Sequence, residues 1–268
     1  MDLMLTSAIL GLVEGLTEFL PVSSTGHLII ASDLLGFTGE KAATFDVVIQ
    51  VGAILAVLVL YWKKFLGLLI PREESTLSGV HGIFLLILTT IPGAGLGLLL
   101  HEHIKVLFTP ESVATALLCG ALLMLLTERY IEKRGRGEGG RSLNEISAFQ
   151  ALGIGCFQCL ALWPGFSRSA STILGGMLLG VSRRSAAEYS FIAAVPIIIG
   201  AAGYDLFKSF HLFTSTDIPF LFCGSVVAFI SAIIAIKTFI RLLSHTSLRP
   251  FAWYRIFLAI PVYWLMAL

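Results

Sequence analysis

The sequence predicts an all-α integral membrane protein with six transmembrane helices and two re-entrant helical hairpins, arranged as an inverted-topology repeat. Of its 268 residues, 56% are hydrophobic and 13% charged, and the mean hydropathy is +0.90. A soluble domain carries about 25% charged residues, so this composition favours a bilayer. The net charge of +1 gives no basis for nucleic-acid binding.

Six apolar stretches reach the ~20 residues that a helix needs to cross a hydrocarbon core. They lie at 44–62, 80–100, 111–127, 186–204, 218–240 and 250–268. Each is bounded by polar or charged positions, and we therefore predict six transmembrane helices.

Two further pairs of apolar arms are interrupted by polar turns at 21–26 and 164–169. The second arm of each pair is too short to cross a bilayer. Each pair is therefore typical of a re-entrant hairpin, which dips into the membrane and returns to the same side. The arms are Leu3–Leu20 with His27–Leu35, and Ala148–Trp163 with Ala170–Leu179.

The two halves of the chain are weakly similar. A shift of 144 positions, the separation between Gly11 and Gly155, also aligns Glu14 with Gln158 and Ser23 with Ser167. Both halves follow the order hairpin, span, span, which indicates an internal repeat. We therefore divide the chain into a first repeat at 1–127 with its hairpin at 3–36, a basic cytoplasmic linker at 128–145, and a second repeat at 146–268 with its hairpin at 146–180.

The distribution of basic residues predicts the orientation. If 63–79 is cytoplasmic, fourteen of the 18 Lys and Arg fall on or beside that side, as the positive-inside rule requires. The hairpins then enter from opposite faces, both termini are external, and the two polar turns meet near the midplane. The fourteen are Lys63, Lys64, Arg72, Arg129, Lys133, Arg134, Arg136, Arg141, Arg183, Arg184, Lys237, Arg241, Arg249 and Arg255.

Two acidic residues, Glu14 and Glu18, lie four positions apart in an apolar arm, so they share one face of a helix. Carboxylates inside a membrane are costly unless they meet a cation or water. One reading is an interfacial helix with a wet polar face. The other is a site for a divalent cation such as Mg²⁺ or Ca²⁺, which binds carboxylate and phosphate oxygens together.

The turn of the first hairpin contains Ser23, Ser24, Thr25, Gly26 and His27 and opens a short helix. A helix N-terminus presents free N–H groups that suit a phosphate. The spacing of Ser24 and His27 would let the imidazole take the hydroxyl proton. Helix capping by a serine explains the same residues without chemistry, and the two roles are compatible.

The turn of the second hairpin contains Ser167, Arg168 and Ser169. Arg168 is the one basic residue that we place in a membrane-embedded stretch, where it needs a partner. Its guanidinium could bind two phosphate oxygens. Alternatively, Arg168 only forms an ion pair with Glu14 or Glu18 that joins the hairpins.

Together these residues predict a phosphoryl-transfer site, because such a site needs a nucleophile, a proton carrier, charge neutralisation and positioning. We expect Ser24, His27, Arg168 and Glu18 to be catalytic and Glu14 and Glu18 to bind the metal. We further expect phosphate contacts from the turns and from a polar residue in the adjoining span: Ser23, Thr25, Gly26, Ser167, Ser169 and Gln50.

Three sequence segments resemble the bacterial undecaprenyl-diphosphatase family, also called the bacitracin-resistance protein (BacA/UppP). Glu14 to Glu18 matches an (E/Q)xxxE motif, Pro164 to Thr172 matches PGxSRSxxT, and Leu20 to His27 is similar as well. The likeness runs over nearly the whole chain, and we find no departure at a motif position.

The resemblance implies hydrolysis of undecaprenyl diphosphate to the monophosphate and inorganic phosphate, which recycles the lipid carrier for peptidoglycan synthesis and gives bacitracin resistance. It implies a divalent cation, functional roles for Glu14, Glu18, Ser24, His27 and Arg168 with support from Ser167, and a multi-pass protein of the bacterial inner membrane whose site faces the periplasm. The expected partners are the polyprenyl diphosphate and membrane lipids, and a homo-oligomer is compatible with the sequence.

Two alternatives stay open from the residues alone. Inverted repeats with re-entrant helices are also transporter architecture, so a transporter or polyprenyl-phosphate flippase is the main rival. Within the phosphatase chemistry, His27 could be the nucleophile in place of Ser24.

Overall fold

The computed structural model describes residues 2–71, 75–134 and 139–265, and it is built from α-helices. Short turns and 3₁₀ segments connect them. In chain order the helices are α1 (Leu3–Thr17), α2 (Ser24–Leu34), α3 (Glu40–Leu60), α4 (Trp62–Leu69), α5 (Gly79–Leu99), α6 (His101–Val106), α7 (Pro110–Lys133), α8 (Ala148–Gln158), α9 (Arg168–Leu178), α10 (Arg183–Ser209), α11 (Ile218–Leu243) and α12 (Arg249–Leu265).

Five of the predicted spans are long apolar helices that could cross a membrane. They are α3, α5, α7, α10 and the segment Ser215–Leu243, which contains α11. The described part of the sixth predicted span is the 17-residue helix α12, and residues 266–268 of that prediction lie outside the described residues. An all-α fold is therefore confirmed for the described residues, with five helices long and apolar enough to cross a membrane, and the sixth span and the re-entrant course of the hairpins stay predictions.

The two broken pairs of apolar arms form two short helix pairs. The helix α1 contacts α2, and α8 contacts α9. The helix α2 begins at Ser24 and ends at Leu34, and α9 begins and ends at the positions 144 residues later, Arg168 and Leu178. Gly36 and Gly180 follow these helices with φ of 63° and 85°, a left-handed conformation that ends a helix at little cost when the residue is glycine.

Each hairpin packs against a long helix of the other half. The helix α1 packs on α11, and α8 packs on α5. A methyl group on Gly11 would overlap the Gly224 backbone, and one on Gly155 would lie 2.6 Å from the Thr89 carbonyl oxygen. Backbones approach this closely only where both sides are small, a common arrangement between membrane helices. The hairpin of each half is therefore held by close packing against a helix of the other half.

The basic linker begins later than expected. The structure continues α7 through Lys133, six residues into the segment that we predicted as linker from 128. Glu128 suggested a surface position, but it is fully buried and accepts hydrogen bonds from Arg183 Nε and Nη2 at 3.0 and 2.6 Å and from the Leu248 N–H at 2.7 Å. Because these donors neutralise the carboxylate, the helix can carry it inside the protein.

Candidate active site

Each hairpin turn contains a serine with an unusual backbone conformation. Ser23 has φ of 71° and Ser167 has φ of 78°, and in the described ranges no other residue except glycine has positive φ. Their hydroxyl oxygens accept hydrogen bonds from the N–H groups of Gly26 and Ala170, so each serine caps the helix that it precedes. Strained backbone of this kind clusters at functional sites, where the surrounding fold maintains it.

Glu18 joins the two turns through its two carboxylate oxygens. Oε2 accepts a 2.6 Å hydrogen bond from the Ser24 hydroxyl, and Oε1 forms a 2.9 Å ion pair with Arg168 Nη2. Glu18 is 9% exposed and Ser24 8% exposed. A short bond from a hydroxyl to a buried carboxylate is the arrangement that a general base and a serine nucleophile require.

The remaining donors of Arg168 differ in whether they have a partner. Nη1 donates to the carbonyl and hydroxyl oxygens of Ser190 at 3.1 and 3.3 Å. The Ser190 hydroxyl is itself 2.7 Å from the Thr172 hydroxyl. Nε is buried and has no hydrogen-bond partner. Glu18 and Ser190 therefore fix the guanidinium at the wall of the cavity that Arg168 lines.

A cavity of about 370 Å³ lies between the two turns. Seven of the predicted site residues line it: Glu18, Ser23, Ser24, Thr25, Gln50, Ser167 and Arg168. The lining also contains Gln158, whose Oε1 is buried without a hydrogen-bond partner. Residues of α5, α6, α10 and the second hairpin complete the wall, so the lining combines polar and apolar residues.

Four predicted site residues lie outside the lining of this cavity. Glu14 is fully buried on α1, one turn before Glu18. Gly26 faces Leu117 and Leu258. Ser169 donates a 2.8 Å hydrogen bond to the Leu20 carbonyl and lies 3.0 Å from the Ser167 hydroxyl, so it fastens one turn to the other.

His27, the fourth, points toward α12. Its Nδ1 is 2.7 Å from the Ser23 carbonyl oxygen, and its Nε2 is 2.6 Å from the Tyr254 hydroxyl. The imidazole and Tyr254 rings are stacked, with 5.5 Å between centroids. Since a carbonyl oxygen only accepts, Nδ1 carries a proton. The expected hydrogen bond between Ser24 and His27 is therefore not formed, and the hydroxyl contacts Glu18 instead.

Glu14 and Asp46 provide carboxylates close to Glu18 for a metal site. Both oxygens of Glu14 and Oδ1 of Asp46 are buried without hydrogen-bond partners, and Glu14 is near enough to Glu18 and Asp46 for their charges to interact. In the described part of the chain no group of three or more His, Cys, Asp or Glu is arranged to hold a metal. These residues fit a cation that takes one or two carboxylates and shares its other positions with phosphate and water. They do not form a closed protein cage.

Sequence reasoning missed Arg255, which it assigned to the cytoplasmic side. Arg255 lies on α12, and its side chain is completely buried in the protein. Five backbone carbonyl oxygens accept its hydrogen bonds. Arg255 therefore lies inside the protein, and the side of the membrane to which it is nearer stays a prediction. Because Arg255 is buried, Arg168 is not the only buried arginine near the two turns. The signal against a surface position was the apolar sequence on both sides of Arg255.

Ser190, Asp46 and Tyr254 were also missed. Asp46 and Ser190 are separated by 144 positions, like the two turns, so the repeat offset could have paired them. No comparable pattern marks Tyr254.

Comparison with known proteins gives a consistent family. A family model described as bacitracin resistance protein BacA matches residues 7–261. A protein named undecaprenyl-diphosphatase from Nitratidesulfovibrio vulgaris is 62% identical over 265 residues, which is 98% of each chain. Proteins of the same name from Maridesulfovibrio salexigens and Lawsonia intracellularis are 60% and 55% identical, covering 97% and 95% of each chain.

Proposed function

This chain belongs to the BacA bacitracin-resistance family, and from that premise we propose how its buried polar cluster performs the reaction. The activity is hydrolysis of undecaprenyl diphosphate to undecaprenyl phosphate and inorganic phosphate. The product is the lipid carrier of cell-wall synthesis. Removal of the diphosphate lipid, to which bacitracin binds, accounts for resistance.

The observation that supports the mechanism best is the 2.6 Å hydrogen bond from the Ser24 hydroxyl to Glu18. The Ser24 oxygen attacks the terminal phosphorus while Glu18 takes the hydroxyl proton. The bond from phosphorus to the bridging oxygen breaks, and undecaprenyl phosphate leaves with that oxygen. Water then hydrolyses the phosphoserine, releases inorganic phosphate and restores the hydroxyl.

Arg168 and the two helix N-termini supply positive charge to this reaction. Arg168 lines the cavity, and its guanidinium donates to a phosphate oxygen on which charge builds up in the transition state. The N–H groups of the first turns of α2 and α9 act in the same way, with the caps Ser23 and Ser167 holding both turns. Thr25 and Gln50 line the cavity beside them and orient the diphosphate.

Glu14 and Glu18 are the residues that would hold a divalent cation. Mg²⁺ or Ca²⁺ bound there would neutralise phosphate charge and offset the repulsion between the two carboxylates. The unpartnered oxygens of Glu14 support this assignment.

We place His27 in support of the nucleophile. Its bond to the Ser23 carbonyl restrains the strained residue next to Ser24, and Tyr254 holds the ring from the other side. This replaces the expectation that His27 takes the Ser24 proton. Trapping the phosphoenzyme decides whether Ser24 or His27 is the nucleophile.

The membrane setting fits a substrate whose head is charged and whose tail is a long hydrocarbon. The protein is a multi-pass membrane protein, and the cavity lining combines polar and apolar residues. We assign it to the bacterial inner membrane with the cavity open to the periplasm, where the headgroup enters and the tail stays in lipid.

Phosphate release by purified protein in detergent tests these roles. Ser24→Ala and Arg168→Gln are expected to lower kcat by at least about a hundredfold. Ser32→Ala is the matched control, since Ser32 is a buried serine of the same helix outside the cavity. Acid quenching of the wild type should yield phosphoserine at Ser24. Wild-type turnover by Ser24→Ala, or phosphohistidine at His27, would overturn the assignment.

A further inference from the structure

Arg255 uses its whole guanidinium to bind backbone. Nε donates to Leu117 O at 3.1 Å, Nη1 to Phe166 O and Pro21 O at 2.8 and 3.4 Å, and Nη2 to Ala116 O and Gly165 O at 3.1 and 3.2 Å. A guanidinium has five N–H donors, so five acceptors satisfy all of them.

Three of these acceptors belong to the two turns of the active site. Pro21 lies in the first turn, and Gly165 and Phe166 lie in the second, two and one residues before Ser167. Pro21 and Gly165 are also equivalent in the repeat, since they are separated by 144 positions. One arginine therefore donates hydrogen bonds to equivalent carbonyl groups in both halves.

The other two acceptors anchor the arginine to a long helix. Ala116 and Leu117 are buried in the middle of α7. The guanidinium lies so close to this helix that a methyl group on Gly120 would overlap Nη2. The turns are thus attached, through Arg255, to an element that does not itself contribute to the cavity lining.

We propose that Arg255 is a positioning residue that sets the distance between the nucleophile side of the site, Glu18 and Ser24, and the phosphate-binding side, Arg168. This inference rests on the catalytic roles proposed above. The substrate is not within its reach, because all five donors are bound to the protein. Its effect passes through the carbonyls of the two turns.

The number of donors explains why the residue is an arginine. A lysine has three N–H donors, so at least two buried carbonyls would lose their partner in Arg255→Lys although the charge is kept. Unpaired buried backbone is destabilising, and the turns would shift to find other donors. Displacements of about 1 Å in a catalytic arrangement lower rates by about a hundredfold.

The experiment compares Arg255→Lys and Arg255→Gln with Arg249→Gln, which removes an arginine from the exposed end of the same helix, where it pairs with Glu132. Detergent-purified proteins are assayed for kcat, KM and hydrogen exchange of peptides that cover 18–27 and 163–170. We expect kcat to fall by about tenfold to a hundredfold in both Arg255 variants, KM to change by less than about threefold, and exchange to accelerate in both turns. The control should match the wild type.

A second variant moves the guanidinium without replacing it. Gly120→Ala places a methyl group against Nη2, whereas Gly95→Ala on α5 meets open space. Gly120→Ala should reproduce the loss of kcat and the faster exchange of the turns, and Gly95→Ala should not. This pair decides the question if an Arg255 variant fails to insert.

Wild-type kcat in Gly120→Ala and in the Arg255 variants that fold would overturn the proposal, as would acceleration of exchange throughout the chain, which indicates general destabilisation. The chemistry is tested separately. If the turns loosen as expected while Ser24→Ala and Arg168→Gln stay active, Arg255 positions the turns and the catalytic roles proposed above are wrong.

Discussion

At the scale of single residues, Glu18 has the most demanding position, because it contacts the nucleophile through one oxygen and the arginine through the other. The ion pair with Arg168 holds the carboxylate in place beside the Ser24 hydroxyl. A buried pair of this kind contributes little net stability, and breaking it by removing one partner is strongly destabilising. Glu18 therefore has both a structural and a chemical role.

Replacing Glu18 tests the chemical role. Glu18→Gln keeps the shape of the side chain but removes its basicity, and we expect kcat to fall by about 10²–10⁴-fold. Glu40→Gln, an exposed glutamate at the start of α3, is the matched control. Both are measured by phosphate release beside thermal unfolding in detergent. A Glu18→Gln protein that is folded and fully active would exclude Glu18 as the base.

A second prediction concerns the role of Glu14 in binding the divalent cation. Because its oxygens have no hydrogen-bond partner in the protein, Glu14→Gln should raise the Mg²⁺ or Ca²⁺ concentration for half-maximal activity by at least about tenfold, the loss typical when a metal's immediate surroundings are altered. Ser24→Ala, with its residual activity, should keep the wild-type metal dependence. The measurement is a metal titration after removal of divalent cations. An unchanged metal requirement in Glu14→Gln would remove Glu14 from the cation site.

The sequence predicted part of this arrangement for a physical reason. Charged residues in apolar segments are rare enough to be noticed, and Glu14, Glu18 and Arg168 are of this kind. The direction of a side chain is a tertiary property, so the sequence could not show that Ser24 bonds Glu18 while His27 turns toward Tyr254. Arg255 was missed because charge alone suggested a membrane surface, and only the structure shows the five carbonyls that allow its burial.

At the scale of helices, the packing of α1 on α11 fixes where the acidic residues lie. Gly11 and Gly15 are one turn apart on α1, and methyl groups there would overlap Gly224 and Ser231 of α11. Glu14 lies on α1, and Glu18 caps its C-terminal end and lines the cavity. Loss of the close approach would move both carboxylates.

We predict that Gly11→Ala destabilises the protein by about 1–3 kcal/mol, the usual effect of overpacking a tight contact, and lowers the unfolding temperature in detergent. Gly67→Ala on α4 is the control, since a methyl group there meets nothing within 4 Å. Equal unfolding temperatures for the two variants would show that α1 and α11 can separate without loss of stability.

Helix existence was easier to predict than helix ends. Long apolar runs fixed α3, α5, α10 and α11, and the polar turns fixed the two hairpins. The end of α7 was misplaced because Glu128 was read as a linker residue, and its partners Arg183 and Leu248 are distant in sequence. The short helices α4 and α6 were not predicted, since they follow directly after long spans and were assigned to loops.

At the scale of the whole molecule, the two halves have similar helices and different chemistry. Positions that correspond under the 144-residue shift are Ser24 and Arg168, Glu14 and Gln158, and Asp46 and Ser190. The first half thus contributes the acidic residues and the nucleophile Ser24, and the second half contributes the guanidinium of Arg168. The Glu18–Arg168 ion pair joins the two turns, and the acidic and basic groups needed for an anionic substrate come from different halves of the chain.

The final prediction tests the orientation in the membrane that we infer from the distribution of basic residues. Basic residues place the linker in the cytoplasm, so a cysteine at Ser142 should be protected from a membrane-impermeant maleimide in intact cells. A cysteine at Thr216, between α10 and α11, should react, as should one at Thr25 in the cavity. Ser142 and Thr216 are both exposed in the structure, so a difference in labelling reports the side of the membrane.

The variants Ser142→Cys, Thr216→Cys and Thr25→Cys are made in a protein whose four native cysteines are replaced, after phosphate release shows that this cysteine-free protein is active. Labelling of Ser142→Cys before cell lysis, with Thr216→Cys protected, would reverse the orientation and place the site on the cytoplasmic side.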